Sequence, residues 1–214
     1  MLERIPEFVR EIDQACITKL AGVEHGLVNV KLEFRAQALK ETGKKLTEEQ
    51  LIAWLLRRKL AEAGFPVEGE VAYPGGRRAK CDIVVSMGSS GRHWVELKLA
   101  WKAWFNCRTA PTYRNPVYLS YLAGSRRTHS LMHDFEKLAR ARLPAGDRRA
   151  VCLIGFDHEQ APMDAEVDSI CRNACEAGFS WTLATRTNWP DRRNSAFRYG
   201  VWIWTLDEMP AEAS

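Results

Sequence analysis

Asp82, Glu96 and Lys98 are charged residues set into apolar runs, 81–87 (CDIVVSM) and 94–100 (WVELKLA). Side chains two apart on a strand project from one face, so Glu96 and Lys98 stand side by side. Gly88-Ser89-Ser90-Gly91 lies between the runs and reads as a hairpin turn. If the turn centres on Ser89, the numbers of facing residues sum to 178 and Asp82 lies opposite Glu96. Opposed side chains on paired strands have Cβ atoms about 5 Å apart. Two carboxylates at that separation can share one divalent cation. On a covered face such charges are costly to bury unpaired; on a solvated face, plain alternation explains all three. Spacing alone leaves both readings open.

The elements that must position these residues follow from periodicity. Apolar residues at helical spacing predict a first helix over 2–21, kinked near Pro6, while 24–46 stays undecided. Thr47-Glu48-Glu49-Gln50 is a capping-box pattern that opens a helix ending at Gly64. Strands are predicted over 67–73, 80–87 and 93–101, with a Pro74-Gly75-Gly76 turn between the first two. Turns this short make an antiparallel meander. After a loop holding Pro111 and Pro116, the pattern predicts a helix over 128–142 and a buried strand over 150–156. A helix over 164–177 and aromatic-rich strands over 179–186 and 197–205 complete the chain.

Composition bounds the class. With 214 residues, 46% hydrophobic and 27% charged, the chain reads as a soluble globular protein. No Gly/Ser- or Pro-rich linker divides it, so 1–214 reads as one domain, with a core over about 47–156 and a C-terminal extension over about 157–207. No run approaches a membrane span, and the charged N-terminal stretch has no apolar signal core. Six cysteines without CxxC spacing fit reduced thiols in the cytoplasm, although Cys171 and Cys175, one helical turn apart, could serve a zinc site. The net charge is only +4, but residues 108–149 hold nine Arg or Lys against three Asp or Glu. Basic charge gathered in one region suits a polyanion.

The run CDIVV, a short hairpin and then WVELKLA resembles the signature of the PD-(D/E)xK nuclease superfamily, with Cys81 where the namesake pattern has proline. The resemblance covers 47–156, about half the chain. It implies an α/β restriction-endonuclease-like core: a mixed central sheet with an antiparallel meander, flanked by helices. It further implies a nuclease that cuts phosphodiester bonds in DNA, with RNA left open, in restriction, repair or phage defence. Such a protein would act alone, as a homodimer or within a complex.

Carried over residue by residue, Asp82 and Glu96 would be metal ligands and the Leu97 carbonyl would complete the protein's share. Hard oxygen ligands suit Mg²⁺ or Mn²⁺. Lys98 would orient the attacking water and offset charge growing on the phosphate. Many members add a glutamate from the first core helix, here Glu48 or Glu49. The apolar face of that helix centres within about 30° of Glu48 and roughly 70° from Glu49, which favours Glu48 and leaves Glu49 as the alternative.

Arg77, Arg78, Lys80, Lys102, Arg126 and Arg127 flank the carboxylates in sequence and could grip phosphates. His129, His133 and Asp134 read as a surface-helix group, with Asp134 and Lys137 able to border the site. Trp181, Trp189, Trp202 and Trp204 read as core. A nuclease-fold binding or interaction module that does not cut is the competing expectation.

Overall fold

The hydroxyl of Thr47 accepts from the Gln50 N–H at 3.3 Å, and the Gln50 side chain accepts from the Thr47 N–H at 3.1 Å. This reciprocal cap starts the helix on which the candidate site depends. Gly64, at φ 86°, follows the C-cap Ala63 and turns the chain into the sheet.

The computed structural model describes residues 1–16, 19–20, 23–24, 32–75, 79–103, 118–123, 130–176, 178–192 and 195–206. A 3-10 turn at Leu2–Arg4 leads into α1 (Ile5–Cys16), followed by the short pair β1 (Lys19–Leu20) and β2 (Val23–Glu24). Then come α2 (Leu32–Thr42), α3 (Glu48–Glu62), β3 (Val67–Ala72), β4 (Lys80–Ser86) and β5 (Arg92–Trp101). The remainder is α4 (Tyr118–Ala123), α5 (Leu131–Ala139), β6 (Arg148–His158), α6 (Asp164–Glu176), β7 (Trp181–Pro190) and β8 (Phe197–Leu206).

The first helix is shorter than expected. Pro6 lies in its first turn, where a missing N–H costs nothing, so it starts the helix rather than kinking it. The stretch read as a loop before the helix at 128–142 contains α4. That later helix begins at Leu131 because the Ser130 hydroxyl caps it, accepting from the His133 N–H at 3.3 Å.

The fold is α/β: a mixed six-stranded sheet, ordered β3-β4-β5-β6-β8-β7, with helices on both faces. Strands β3, β4 and β5 form the expected antiparallel meander, and β5 pairs with β6 in parallel. The C-terminal strands β7 and β8 continue the same sheet, β8 pairing with β6. One apolar layer packs α1, α2 and α3 on Ile83, Val85, Val95, Leu97 and Leu99. The other packs α5 and α6 on Val84, Trp94, Val151 and Leu153. Each fully buried aliphatic side chain contributes about 1.5–3 kcal/mol, so α3, which buries Leu51, Ile52, Leu56 and Leu60, is firmly anchored. Trp181, Trp189, Trp202 and Trp204 are all buried, as expected of core residues. Among the described residues, no helix is long and apolar enough to cross a membrane.

Candidate active site

The pairing of β4 with β5 runs from Ser86↔Arg92 to Ile83↔Val95, in the register whose numbers sum to 178. Asp82 and Glu96 stand one step beyond, and there the ladder stops. The β3–β4 pairing is interrupted at the same level, between Gly69↔Ile83 and Val71↔Cys81. Glu70, the residue skipped, has a φ of 52°, a strained value for a side-chain-bearing residue. Alternation slips with it: Cys81 and Val84 pack on one face, Ile83 and Val85 on the other. Asp82 is the residue at which β4 bends away from β5.

The bend leaves two β5 amides without a strand partner, and acids take both. Leu97 N–H donates to Asp82 Oδ2 at 2.9 Å, and Leu99 N–H donates to Glu49 Oε2 at 3.1 Å. The N–H and C=O of one residue in an extended strand point to the same side, so the Leu97 carbonyl faces the same gap. From α3, Arg57 donates to the Asp82 carbonyl at 3.0 Å. Its guanidinium crosses β3 directly over Gly69, where a Cβ would overlap it.

Lys98 lies between the two helical layers. Its Nζ is 3.1 Å from Glu49 Oε1 on α3 and 3.4 Å from Asp134 Oδ2 on α5. Lys137, one turn along α5, is 2.7 Å from Glu96 Oε2 and 3.3 Å from Asp134 Oδ1. The Tyr73 hydroxyl donates to Glu96 Oε1. Glu96, Lys98 and Asp134 retain only 1%, 3% and 3% exposure, so this is a buried charge cluster and the solvated-face reading of the alternation does not hold. Four carboxyl groups face two ammonium groups and, beside Asp82, the Arg57 guanidinium, so the acids outnumber the cations by one.

The acids show that imbalance. Burial, reinforced by the neighbouring Asp82, pushes Glu96 well above the usual carboxylate range. Asp82 is also raised by burial, although the Leu97 N–H and a hydrogen bond with Glu96 pull it back. Burial raises Glu49 as well, against the opposing pull of Lys98. Burial alone would lower Lys98, but Asp134 and Glu49 outweigh it, so its pKa lies above the ordinary lysine value and the ammonium is retained. Lys137 is raised likewise, Glu96 and Asp134 outweighing burial. Burial and Glu96 together raise the Tyr73 phenol, which keeps its proton and remains a donor.

Of the expected trio, Asp82 and Glu96 converge, and Lys98 is linked to them through Asp134, which it shares with Lys137, the partner of Glu96. Glu48 does not join them: it pairs with Arg35 of α2 at 3.2 Å, and Glu49 takes the inner position. The apolar stripe misleads because α3 is covered on several sides and buries Ala53 and Trp54 too. Glu49, Ala53 and Arg57, spaced i, i+4 and i+8, form the line that faces the break in the sheet. Lys102 is turned to α6, 2.6 Å from Glu166 and 2.9 Å from the Pro162 carbonyl. Lys80 is exposed, with Glu70 at 3.9 Å. Arg77, Arg78, Arg126, Arg127 and His129 lie outside the described residues. Sequence reasoning missed Tyr73 and Arg57. The i+8 spacing of Arg57 from Glu49, a polar line on a buried helix, was the available signal.

Asp82, Glu96 and the Leu97 carbonyl offer only hard oxygen donors, which fit Mg²⁺ or Mn²⁺. Among the described residues, no group of three or more His, Cys, Asp or Glu side chains is gathered to hold an ion unaided, Cys171 and Cys175 included. The protein's share would thus be two carboxylates and a carbonyl, a sparse set of the kind Mg²⁺ accepts while keeping its waters. No family model, curated protein or solved structure matches the chain.

Proposed function

We propose that this chain is a metal-dependent nuclease of the PD-(D/E)xK type, built on a restriction-endonuclease-like core, that hydrolyses phosphodiester bonds in DNA. The observation that carries the reading is the buried cluster at the break between β4 and β5, where Asp82 and Glu96 converge, Lys98 is linked to them through Asp134 and Lys137, and the acids outnumber the cations. The order α3, β3–β4–β5 meander, α5, β6 agrees with such a core.

Asp82, Glu96 and the Leu97 carbonyl would hold Mg²⁺ or Mn²⁺. When bound, the ion would polarise the scissile phosphate and lower the pKa of water. Lys98 keeps its proton and so is no general base; its N–H donors orient the attacking water and offset charge on the phosphate. Glu49 and Asp134 fix the ammonium from opposite layers. Lys137 and Tyr73 fix Glu96.

One observation favours the competing reading of a binding module without turnover: both residues are already paired internally, Glu96 with Lys137 and Lys98 with Glu49 and Asp134, as they would be in a purely structural ion network. Incubation with supercoiled plasmid and with a labelled RNA, in Mg²⁺ or EDTA, separates the two. The nuclease nicks plasmid only with Mg²⁺, and Lys98→Met lowers the rate by about 10²–10³-fold. Absence of Mg²⁺-dependent cleavage of either substrate, or wild-type cleavage by Lys98→Met, overturns it.

A further inference from the structure

Two cavities flank the charge cluster, and their electrostatics differ. The first, about 200 Å³, reaches Asp82 past Gln50, Arg57 and Gly69 on the α3 side. Its two cations are matched by its two carboxylates: Lys44 lies 3.2 Å from Glu70, and both Glu70 and Asp82 act on Arg57. The second, about 210 Å³, lies between the Pro74–Gly75 turn and the end of α5, lined by Tyr73, Lys137, Arg140 and Arg142. Tyr73 and Lys137 each hold Glu96, so this cleft opens directly beside the proposed metal ligands.

The walls of the second cleft suit an anion. Arg140 and Arg142 are exposed, and among the described residues no carboxylate is seen to pair with either. Arg140 also lies over the Phe179 ring, 5.9 Å from its centroid, which limits its freedom without neutralising it. A helix C-terminus normally repels anions, because its last carbonyls carry partial negative charge. Here Arg149 covers that end, donating to Leu138 O at 3.2 Å and to Ala141 O at 3.0 Å. The cleft is smaller than the roughly 300–1,000 Å³ that encloses a drug-sized ligand, so it fits a phosphate with part of its sugar rather than an extruded nucleotide.

We infer that the cleft between Tyr73 and the end of α5 is a phosphate subsite, in which Arg140 and Arg142 hold the backbone phosphate next to the scissile one. This rests on the nuclease reading for the identity of the strand. Lys137 marks the boundary between the acids that would hold the ion and the cations that hold the strand, and so sets which bond lies over Asp82 and Glu96.

The test is fluorescence anisotropy of a labelled twenty-nucleotide duplex across a KCl series in EDTA, with wild type, Arg140→Gln/Arg142→Gln and the control Arg172→Gln on α6. Both arginines are exposed, so the fold should survive, as checked by melting temperature. The subsite predicts a loss of affinity of at least about tenfold at fixed salt in the double variant. The log–log salt slope should become shallower by about one unit, since each phosphate no longer neutralised removes about 0.9. Arg172→Gln should bind like wild type. Unchanged affinity and slope in the double variant, a loss matched by Arg172→Gln, or no binding by wild type each overturn the subsite. If wild type cleaves DNA and the double variant binds normally, the subsite alone fails. If binding depends on both arginines but no cleavage occurs, the subsite stands and the nuclease reading fails.

Discussion

Leu97 and Leu99 each present an N–H toward a neighbouring strand that has already bent away. A buried amide left without a partner costs about 1–3 kcal/mol. Asp82 and Glu49 remove that penalty, and in doing so their carboxylates are fixed within reach of Glu96 and Lys98. The same bonds that complete the sheet thus preorganise the charges. Glu49 carries two of these duties, the Leu99 amide and the Lys98 ammonium, whereas Glu48 makes a partly exposed pair with Arg35. Partly exposed pairs contribute little. Glu49→Gln is therefore expected to lower Mg²⁺-dependent cleavage at least tenfold. Glu48→Gln should leave cleavage within about twofold and stability within about 0.5 kcal/mol. Parallel cleavage rates and urea melts check both; equal losses in the two variants would remove the distinction.

Element by element, much of the framework is legible in the sequence. The Thr47 capping box, the alternation in β3 to β5 and the register across Ser89 all follow from local chemistry. What was not legible depends on tertiary cover. α3 is apolar on several sides, so its stripe could not say which flank meets the sheet, and Glu49 was passed over. Lys102 directly follows β5, but Glu166 on α6 draws it aside, a contact sixty-four residues away in sequence. The bend at Asp82 was equally hidden, because the partner of its carbonyl, Arg57, reaches it across Gly69 from another element. Gly69→Ala offers a direct test of that bridge. The atoms nearest the new methyl group belong to the flexible end of Arg57, so it should displace the guanidinium from the Asp82 carbonyl without unfolding the chain. The expected result is a several-fold higher Mg²⁺ requirement in cleavage assays at near-wild-type melting temperature. An unchanged Mg²⁺ titration would show that Arg57 does not position Asp82.

At the scale of the whole molecule, the excess negative charge ties stability to both protons and metal. Asp82, Glu96 and Glu49 have raised pKa values in the folded chain, so the stability linked to their protonated forms is lost as pH rises through those values. A divalent cation binds the ionised carboxylates and competes with the protons. Mg²⁺ should then raise the melting temperature more at pH 8 than at pH 5.5, and Asp82→Asn should lose that pH-dependent increment. An increment independent of pH, or the same in Asp82→Asn, would place the ions elsewhere. The sheet from β3 to β7 holds α3 on one face and α5 on the other, and at the β4 bend groups from both layers touch the same lysine. The most direct test of that junction as a metal centre is anomalous diffraction from crystals soaked in Mn²⁺ with a short DNA duplex. The account predicts a peak about 2.2 Å from carboxylate oxygens of both Asp82 and Glu96, close to the usual range for such ions. A protein that cleaves the duplex in the crystal but shows its Mn²⁺ peak away from these two residues would contradict it.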